Sequence, residues 1–299
     1  MNNLVRYIIG YIYPPRCITC HNLLPLRQLD TSPDRDNDTD ILLKSLCREC
    51  ADKFSAGKMF NHSAISELLK GDLVICDRCG EILPRQETQL QYCPTCCALA
   101  HTVGRIRSLY VYNNDTKAPL LTFKYFKKFG LAKLFSELIV QNLKQDTETG
   151  FKIFPETDWD YILPIPSSPD ILKKRGYNHT YLITKLIAGK LGSKTAPNFL
   201  ISKRDRSAQV LLSLGNRTKN MKNAFAVSKR GKNRIAGSKI LLLDDMLTTG
   251  STVDAAAGTL LDAHASSVDA LTVFRSSGFS KDRLKIALDL KCCTRTGTS

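Results

Sequence analysis

Two adjacent carboxylates, Asp244 and Asp245, follow the apolar residues 240–243 and precede a loop rich in hydroxyl groups. Such an apolar run is typical of a central parallel strand, so we expect both acids at its carboxyl end, where open α/β sheets bind ligands. A helix is predicted to begin at Ser251 or Thr252, and its free backbone amides would attract a phosphate. The hydroxyl loop consists of Thr248, Thr249, Gly250, Ser251 and Thr252.

This combination suits a ligand that carries both a phosphate and hydroxyl groups, and a ribose 5-phosphate meets both requirements. Its 2- and 3-hydroxyls would donate to the two acids while its phosphate lies in the loop. A nucleoside triphosphatase is a competing interpretation, but the sequence lacks both G-x-x-x-x-G-K-[ST] and G-x-G-x-x-G. An ordinary helix cap would explain one acid, but not two acids followed by four hydroxyls.

Eight of the eleven cysteines form four Cys-x-x-Cys pairs. Two intervening residues let both thiolates of a pair face one tetrahedral ion, so two pairs complete a four-thiolate zinc site. We expect two structural zinc ions, with sequential pairing preferred over an interleaved cross-brace; redox chemistry at one pair is the alternative. The pairs are Cys17/Cys20, Cys47/Cys50, Cys76/Cys79 and Cys93/Cys96. No role is predicted for Cys97, Cys292 or Cys293, and none as metal ligands for His21 and His101.

Elements that position these groups are predicted from about residue 105 onward, where β-prone runs alternate with helical stretches. That alternation favours an α/β fold with a mainly parallel sheet. We therefore divide the chain into a cysteine-rich module, 1–100, and an α/β domain, 101–299. Residues 30–40 are polar and charged, and are predicted to be a flexible insertion. The predicted strands are 106–112, 160–165, 239–244 and 268–274, and the predicted helices are 114–128, 131–144, 179–191 and 251–264; residues 202–234 are predicted to be a loop with short elements.

The formal charge of +15 is unevenly distributed, since residues 101–299 hold 32 Lys and Arg against 16 Asp and Glu. This excess favours a polyanionic partner, although a solvated cationic face is the plain alternative. No run approaches the roughly 18 apolar residues that span a bilayer, and no signal peptide is recognisable. With its paired cysteines, the chain is expected to have no transmembrane segment and to reside in the reducing cytoplasm.

The segment "LLLDDMLTTGST" resembles the phosphoribosyl-diphosphate-binding motif of type I phosphoribosyltransferases. Further motifs resemble, in order, the ComF family, which is associated with DNA uptake in natural competence. They are "IYPPRCITC", the four cysteine pairs, "LLTFKY", "LPIPSS", "KKRGYN", the series Arg204, Gln209, Leu212, Arg217 and Asn220, and "NAFAV". The similarity covers residues 12–275. One departure is that the family commonly has Gly-Phe-Asn-Gln followed by Ala-Glu where this chain has residues 176–181, "GYNHTY".

The resemblance implies a type I phosphoribosyltransferase-like fold and a site for phosphoribosyl diphosphate with Mg²⁺. Asp244 and Asp245 would hold the ribose hydroxyls, and the loop 248–252 the 5-phosphate. Pro166 and Ser167 would lie at the pyrophosphate loop, and residues 202–234 would form a loop that closes over the site. Lys124 and Arg175 would be cationic neighbours of the phosphates.

Two functions are compatible with this resemblance. One is transfer of phosphoribosyl to a nitrogen nucleophile. The other is a catalytically silent competence factor that binds single-stranded DNA, uses the phosphoribosyl site for regulation and works with a competence helicase. "FKYFKK", residues 123–128, bears on the choice because lysines alternate there with aromatic residues. We favour an amphipathic helix in which Phe123 and Phe126 belong to the core.

Overall fold

The computed structural model describes residues 14–24, 37–60, 62–85, 92–93, 96–97, 102–144, 152–156, 158–203 and 224–276. The helices, in chain order, are α1 (Asn37–Leu42), α2 (Arg48–Ala56), α3 (His62–Lys70), α4 (Lys117–Tyr125), α5 (Gly130–Lys144), α6 (Pro169–Arg175), α7 (His179–Leu191), α8 (Lys229–Ile235) and α9 (Ser251–Leu261). The strands are β1 (Leu73–Ile75), β2 (Ile82–Pro84), β3 (Ile106–Tyr112), β4 (Tyr161–Pro164), β5 (Leu200–Ser202), β6 (Phe225–Val227), β7 (Lys239–Leu247) and β8 (Ser267–Ser276).

A four-stranded, wholly parallel sheet forms the centre of the protein, in the order β3-β8-β7-β4. Two short antiparallel pairs, β1-β2 and β5-β6, lie outside it. Parallel strands need crossover connections, and these are supplied by α4 to α7 between β3 and β4 and by α9 between β7 and β8. The predicted α/β class with a mainly parallel sheet is confirmed.

Strand β7 is buried on both faces because apolar layers cover the sheet on either side. Leu241 and Leu243 belong to one apolar cluster, together with residues of α5 and α7. Ile240 and Leu242 belong to the other, with residues of α9. Successive side chains of a strand point to opposite faces, so an unbroken apolar run serves both layers.

The predicted elements of the α/β region are all present, with shifts at their ends. Helix α4 is shorter than the predicted 114–128, and β7 is longer than the predicted 239–244, since it continues to Leu247. The described parts of 202–234 contain the last residue of β5, the whole of strand β6 and nearly all of helix α8. Residues 204–223, which include the motif residues Arg204, Gln209, Leu212, Arg217 and Asn220, lie outside the described residues.

The prediction that residues 30–40 form a flexible insertion is wrong for residues 37–40, which begin helix α1; residues 30–36 lie outside the described residues. Asp38 is fully buried there. Its carboxylate accepts from the Tyr110 hydroxyl at 2.7 Å and from Asn142 Nδ2 at 3.1 Å, and it pairs with Lys58 Nζ at 3.0 Å. Asp38 is therefore a core residue, because a buried charge persists where cationic and hydrogen-bonding partners surround it.

Among the described helices, none is both long and apolar enough to cross a lipid bilayer.

Candidate functional site

The paired carboxylates lie where β7 separates from one of its two neighbours. Pairing of β7 with β4 ends at Leu243↔Pro164, whereas pairing with β8 continues to Leu247↔Arg275. Asp244 and Asp245 are the next two residues of β7 after this last pair with β4, and they lie at the carboxyl end of β4. A crevice at this edge is the usual ligand site of an open parallel sheet.

Asp245 is buried and receives two donors on one oxygen. Lys124 Nζ and His179 Nε2 each lie 2.5 Å from its Oδ2. Burial alone would raise the pKa of Asp245, but the His179 hydrogen bond and the Lys124 charge outweigh it and hold that pKa below its ordinary value. Asp245 is therefore ionised, and two helices, α4 and α7, are held to it.

Arg175 extends this chain of contacts by one residue. Its Nη1 lies 3.3 Å from His179 Nδ1, and its guanidinium stacks over the Tyr125 ring at 5.1 Å. An arginine only donates hydrogen bonds, so Nδ1 must be the acceptor and the proton of a neutral His179 must reside on Nε2. That tautomer is the one that donates to Asp245.

Asp244 has the opposite electrostatic character. Burial, with the negative charge of Asp245 beside it, raises the pKa of Asp244 to about 8. Its Oδ1 accepts from the Asp245 backbone amide at 2.8 Å. The site therefore combines one ionised and one protonated carboxyl group near neutral pH, a pairing that can both accept from and donate to sugar hydroxyls.

The hydroxyl loop follows three residues later and leads into α9 as predicted. Gly250 has φ +76°, a left-handed conformation that glycine adopts without steric cost. Thr248, Thr249 and Thr252 are exposed, and Thr249 Oγ1 lies 2.9 Å from Ser251 Oγ. The Ser251 amide donates to Thr249 Oγ1 at 3.3 Å. The exposed hydroxyls and the other first-turn amides of this eleven-residue helix form a chemically suitable anion cradle.

Pro166 and Ser167 are half-buried in the segment between β4 and α6, at the same edge of the sheet. Asn178 fixes the neighbouring turn, since its side-chain oxygen caps α7 and its Nδ2 donates to the Ile165 carbonyl at 3.2 Å. The structure thus brings all the predicted α/β site residues to one edge of the sheet, from four different segments.

His179 is the residue that sequence reasoning missed. It was noted only as a departure from the family pattern, yet it bonds the central carboxylate. The available signal was its place directly after the helix cap Asn178, because a first-turn side chain can turn back towards the strand ends.

The aromatic residues of "FKYFKK" divide between core and surface. Phe123 is fully buried, as predicted, but Phe126 is 69% exposed. The helix ends at Tyr125, and Phe126 adopts a non-helical conformation as its cap, so the helical periodicity that placed both rings on one face stops before it. Tyr125 and Phe129 are also more than half exposed.

Two groups of four cysteines could each hold a metal ion, and they pair sequentially as preferred. Their sulfurs lie within 4.8 Å of one another in each group. Tetrahedral zinc–sulfur bonds of about 2.3 Å imply a sulfur–sulfur distance of about 3.8 Å. The observed separations of 3.6 Å for Cys20–Cys47 and 3.7 Å for Cys79–Cys93 fit that geometry. The groups are Cys17, Cys20, Cys47 and Cys50, and Cys76, Cys79, Cys93 and Cys96.

Both cysteine groups contact the α/β region. Cys17 belongs to the same apolar cluster as Leu109 and Phe135. In the second group, Arg275 of β8 donates from Nη1 to the Cys79 carbonyl at 2.7 Å and also pairs with Glu81. The cysteine-rich segments are therefore packed onto the parallel sheet.

A family model described as "Phosphoribosyl transferase domain" matches residues 186–298. Among curated proteins, Competence protein F of Haemophilus influenzae is 25% identical over 60% of this chain and 75% of its own length. Competence protein ComFC of Bacillus subtilis is 27% identical over 78% of this chain and 96% of its own. DNA utilization protein YhgH of Escherichia coli K12 is 24% identical over 79% and 99%.

Among solved structures, adenine phosphoribosyltransferase from Saccharomyces cerevisiae is 21% identical, over 54% of this chain and 77% of its own, with a TM-score of 0.32. That likeness is too weak to support an assignment by itself. The parallel sheet and the matched domain model together define a protein with a type I phosphoribosyltransferase fold. The cysteine pairs and the curated relatives narrow this class, since the chain is similar to Competence protein F and Competence protein ComFC and carries ComF-type motifs.

Proposed function

We propose that this protein acts in DNA uptake and natural transformation, and that it binds phosphoribosyl diphosphate at the carboxyl edge of its sheet. The observation that carries the binding proposal is the placement of Asp244, Asp245 and the phosphate-type loop at one edge, on a chain with a phosphoribosyltransferase domain. The names of the curated relatives, competence proteins and DNA utilization proteins, support the biological role.

In this proposal the carboxyl groups hold the ribose and the loop holds its 5-phosphate. Asp245 accepts from one ribose hydroxyl, and Asp244 bonds the other. Thr248, Thr249, Ser251 and Thr252 donate to the phosphate, with Gly250 allowing close backbone approach. Lys124 and Arg175 balance the negative charge at the pyrophosphate end, beside Pro166 and Ser167.

If transfer occurs, the bond between the anomeric carbon and the pyrophosphate oxygen breaks, and pyrophosphate leaves with the electron pair. A nitrogen nucleophile supplies the new bond and loses its proton, so the sugar passes through a cationic transition state. The ionised Asp245 stabilises that positive charge, and catalysis rests on positioning and electrostatics. Mg²⁺, held through the substrate phosphates, would neutralise the leaving group.

Both cysteine groups are proposed to hold structural zinc, since four thiolates with two-residue spacing are the usual ligand set for that ion. Such a site offers no open coordination position, and its thiolates require a reducing compartment such as the cytoplasm. We further propose 1–100 as the metal module and 101–299 as the phosphoribosyltransferase-like domain.

A second candidate function is that of a catalytically silent factor that binds single-stranded DNA, uses the phosphoribosyl site for regulation and has a competence helicase as partner. It is favoured by the exposure of Tyr125, Phe126 and Phe129 beside lysines, because bases stack on exposed aromatic rings while cations hold the backbone. The excess of basic residues after residue 100 adds a long-range attraction.

Calorimetry with phosphoribosyl diphosphate and Mg²⁺ tests the binding proposal. We expect Asp245→Asn to weaken binding by about tenfold or more, because charged hydrogen bonds to a ligand contribute about 1.5–3 kcal/mol. Asp262→Asn, at an exposed position after α9, is the matched control and should bind normally. Absence of binding by the wild type would refute the site. If the wild type binds, measurement of pyrophosphate release with a panel of bases tests turnover.

Affinity for a single-stranded oligonucleotide across a salt series tests the second function. We expect a steep loss of affinity with rising salt, and a further loss in Phe126→Ala. A flat salt response would count against it.

A further inference from the structure

A cavity of about 360 Å³ opens beside the carboxylate pair, between α4 and α6. Its lining contains four cationic side chains, two aromatic ones and one aliphatic one, and no acidic one. We propose that this cavity binds a small aromatic anion, a planar ring that carries a carboxylate or phosphate. The lining residues are Lys124, Tyr125, Lys127, Ile171, Lys174, Arg175 and Tyr177.

Charge is the first argument for an anionic ligand. Lys124 is paired with Asp245, but Lys127 and Lys174 make no ion pair with any residue that the structure describes. Because Lys124 and Arg175 also face the proposed pyrophosphate end, Lys127 and Lys174 are the cations that are available to a second anion, and they make this concave surface positive. A neutral ligand would leave these charges crowded together.

The aromatic side chains argue for a ring. Tyr125 is 62% exposed and has the Arg175 guanidinium stacked on its ring. Tyr177 is fixed from outside the cavity, since its hydroxyl donates to the Phe123 carbonyl at 2.6 Å and its ring packs edge-on against Phe129. A planar ligand can stack on such rings, while its anionic group meets the surrounding lysines.

Size argues for a small molecule. A volume of about 360 Å³ lies at the lower end of the range for ligand pockets and accommodates one or two fused rings. Lys127 follows the cap Phe126 of α4 with φ +53°, the left-handed conformation in which helices commonly end.

The cavity is joined to the carboxylate pair by two of its own residues. Lys124 bonds Asp245 directly, and Arg175 reaches it through His179. A ligand in the cavity would therefore lie next to the proposed sugar site. The assignment of this ligand as the acceptor of the phosphoribosyl group rests on the proposed transfer function. The binding of the ligand in the cavity does not rest on it.

The test uses 2-aminobenzoate as a fluorescent probe with the metal-loaded chain of 299 residues. Aniline supplies the ring without the carboxylate, and acetate supplies the carboxylate without the ring. We expect 2-aminobenzoate to bind about fivefold more tightly than either fragment, which corresponds to about 1 kcal/mol, because each fragment lacks either the stacking or the charge attraction. Equal binding of aniline would overturn the requirement for an anion.

Two variants and two matched controls locate the binding. Tyr125→Ala and Lys174→Ala should each weaken 2-aminobenzoate about fivefold, which corresponds to about 1 kcal/mol. Phe126→Ala removes an adjacent exposed ring, and Lys185→Ala an exposed lysine of α7; both lie outside the lining and should have no effect. Loss of binding in the controls alone would overturn the location.

Failure of this inference is distinguishable from failure of the proposed function. Asp245→Asn should weaken phosphoribosyl diphosphate binding by about tenfold or more but should not weaken 2-aminobenzoate binding, because Asp245 does not line the cavity and its neutralisation leaves the charge of Lys124 in place. Binding of phosphoribosyl diphosphate without any binding of 2-aminobenzoate would overturn the inference alone. A twelve-nucleotide oligothymidylate that binds through Tyr125 and Lys174, while 2-aminobenzoate does not bind, would overturn it in favour of nucleic acid.

Discussion

At the scale of single residues, the central feature is the chain of contacts from Arg175 through His179 to Asp245. Each member determines the state of the next one: the arginine requires the Nε2–H tautomer, and that proton is donated to the carboxylate. Lys124 reinforces the same oxygen. His179 is therefore a positioning residue, which prepares Asp245 to accept a ligand hydroxyl.

The tautomer leads to a direct prediction for His179. Nitrogen NMR should find the proton on Nε2, and His179→Ala should raise the pKa of Asp245 because its main favourable hydrogen bond is lost. His179→Gln, which retains a donor, should raise that pKa less. A role confined to packing would leave the pKa of Asp245 unchanged, so carboxyl titration by carbon NMR separates the two explanations.

Asp244 yields a prediction on pH. A carboxyl whose pKa rises from 3.8 to about 8 on folding favours the folded state while it is protonated. That stabilisation is complete below about pH 4 and is lost as the pH rises towards 8. We expect Asp244→Asn, measured by denaturant unfolding, to gain stability relative to the wild type over this interval. Identical pH profiles of the two proteins would contradict the raised pKa.

At the scale of elements, strand β7 and helix α1 show what periodicity and polarity can and cannot predict. The unbroken apolar run of β7 has a single good solution, a central parallel strand, and it forms one. Residues 37–42 have the composition of a surface segment, yet they form a helix whose Asp38 is buried against Tyr110, Lys58 and Asn142. Those partners are 20 to about 100 residues distant in sequence, so no local pattern reveals them.

Removal of one partner from the buried ion pair of Asp38 and Lys58 should be strongly destabilising. Asp38→Ala leaves the Lys58 ammonium buried without its carboxylate, and we expect a loss of about 3–5 kcal/mol in the free energy of unfolding. Asp38→Asn with Lys58→Met should cost less than Asp38→Ala alone. Glu49→Gln, which breaks the exposed pair with Lys53, is the control and should change stability little. Denaturant unfolding measures all three.

At the scale of the whole molecule, the cysteine groups and the parallel sheet form one packed body in the described residues. The first group shares an apolar cluster with the sheet, and the second is held by Arg275 of β8. Metal occupancy should therefore affect the stability of the α/β region as well as that of the cysteine-rich segments.

Metal analysis and thermal unfolding test that connection. We expect two zinc ions per chain, and about one in Cys76→Ser, with a lowered unfolding temperature of the entire protein, because structural zinc contributes on the order of 10 kcal/mol in small modules. Cys97→Ser, which alters a cysteine outside both groups, should retain both ions. Clearly fewer than two ions in the wild type would refute the double site.

The sequence alone determined the α/β class, the positions of the main strands, the cysteine pairs and the stretch that holds the carboxylates and the hydroxyl loop. These features depend on local chemistry, namely strand periodicity, ligand spacing and helix starts, which neighbouring residues carry. Tertiary structure alone decided that His179 bonds Asp245, that Asp38 is buried, that Phe126 is exposed and that four cations share one cavity with two aromatic rings. Each of these depends on which segments of the chain meet, and long-range packing fixes that choice.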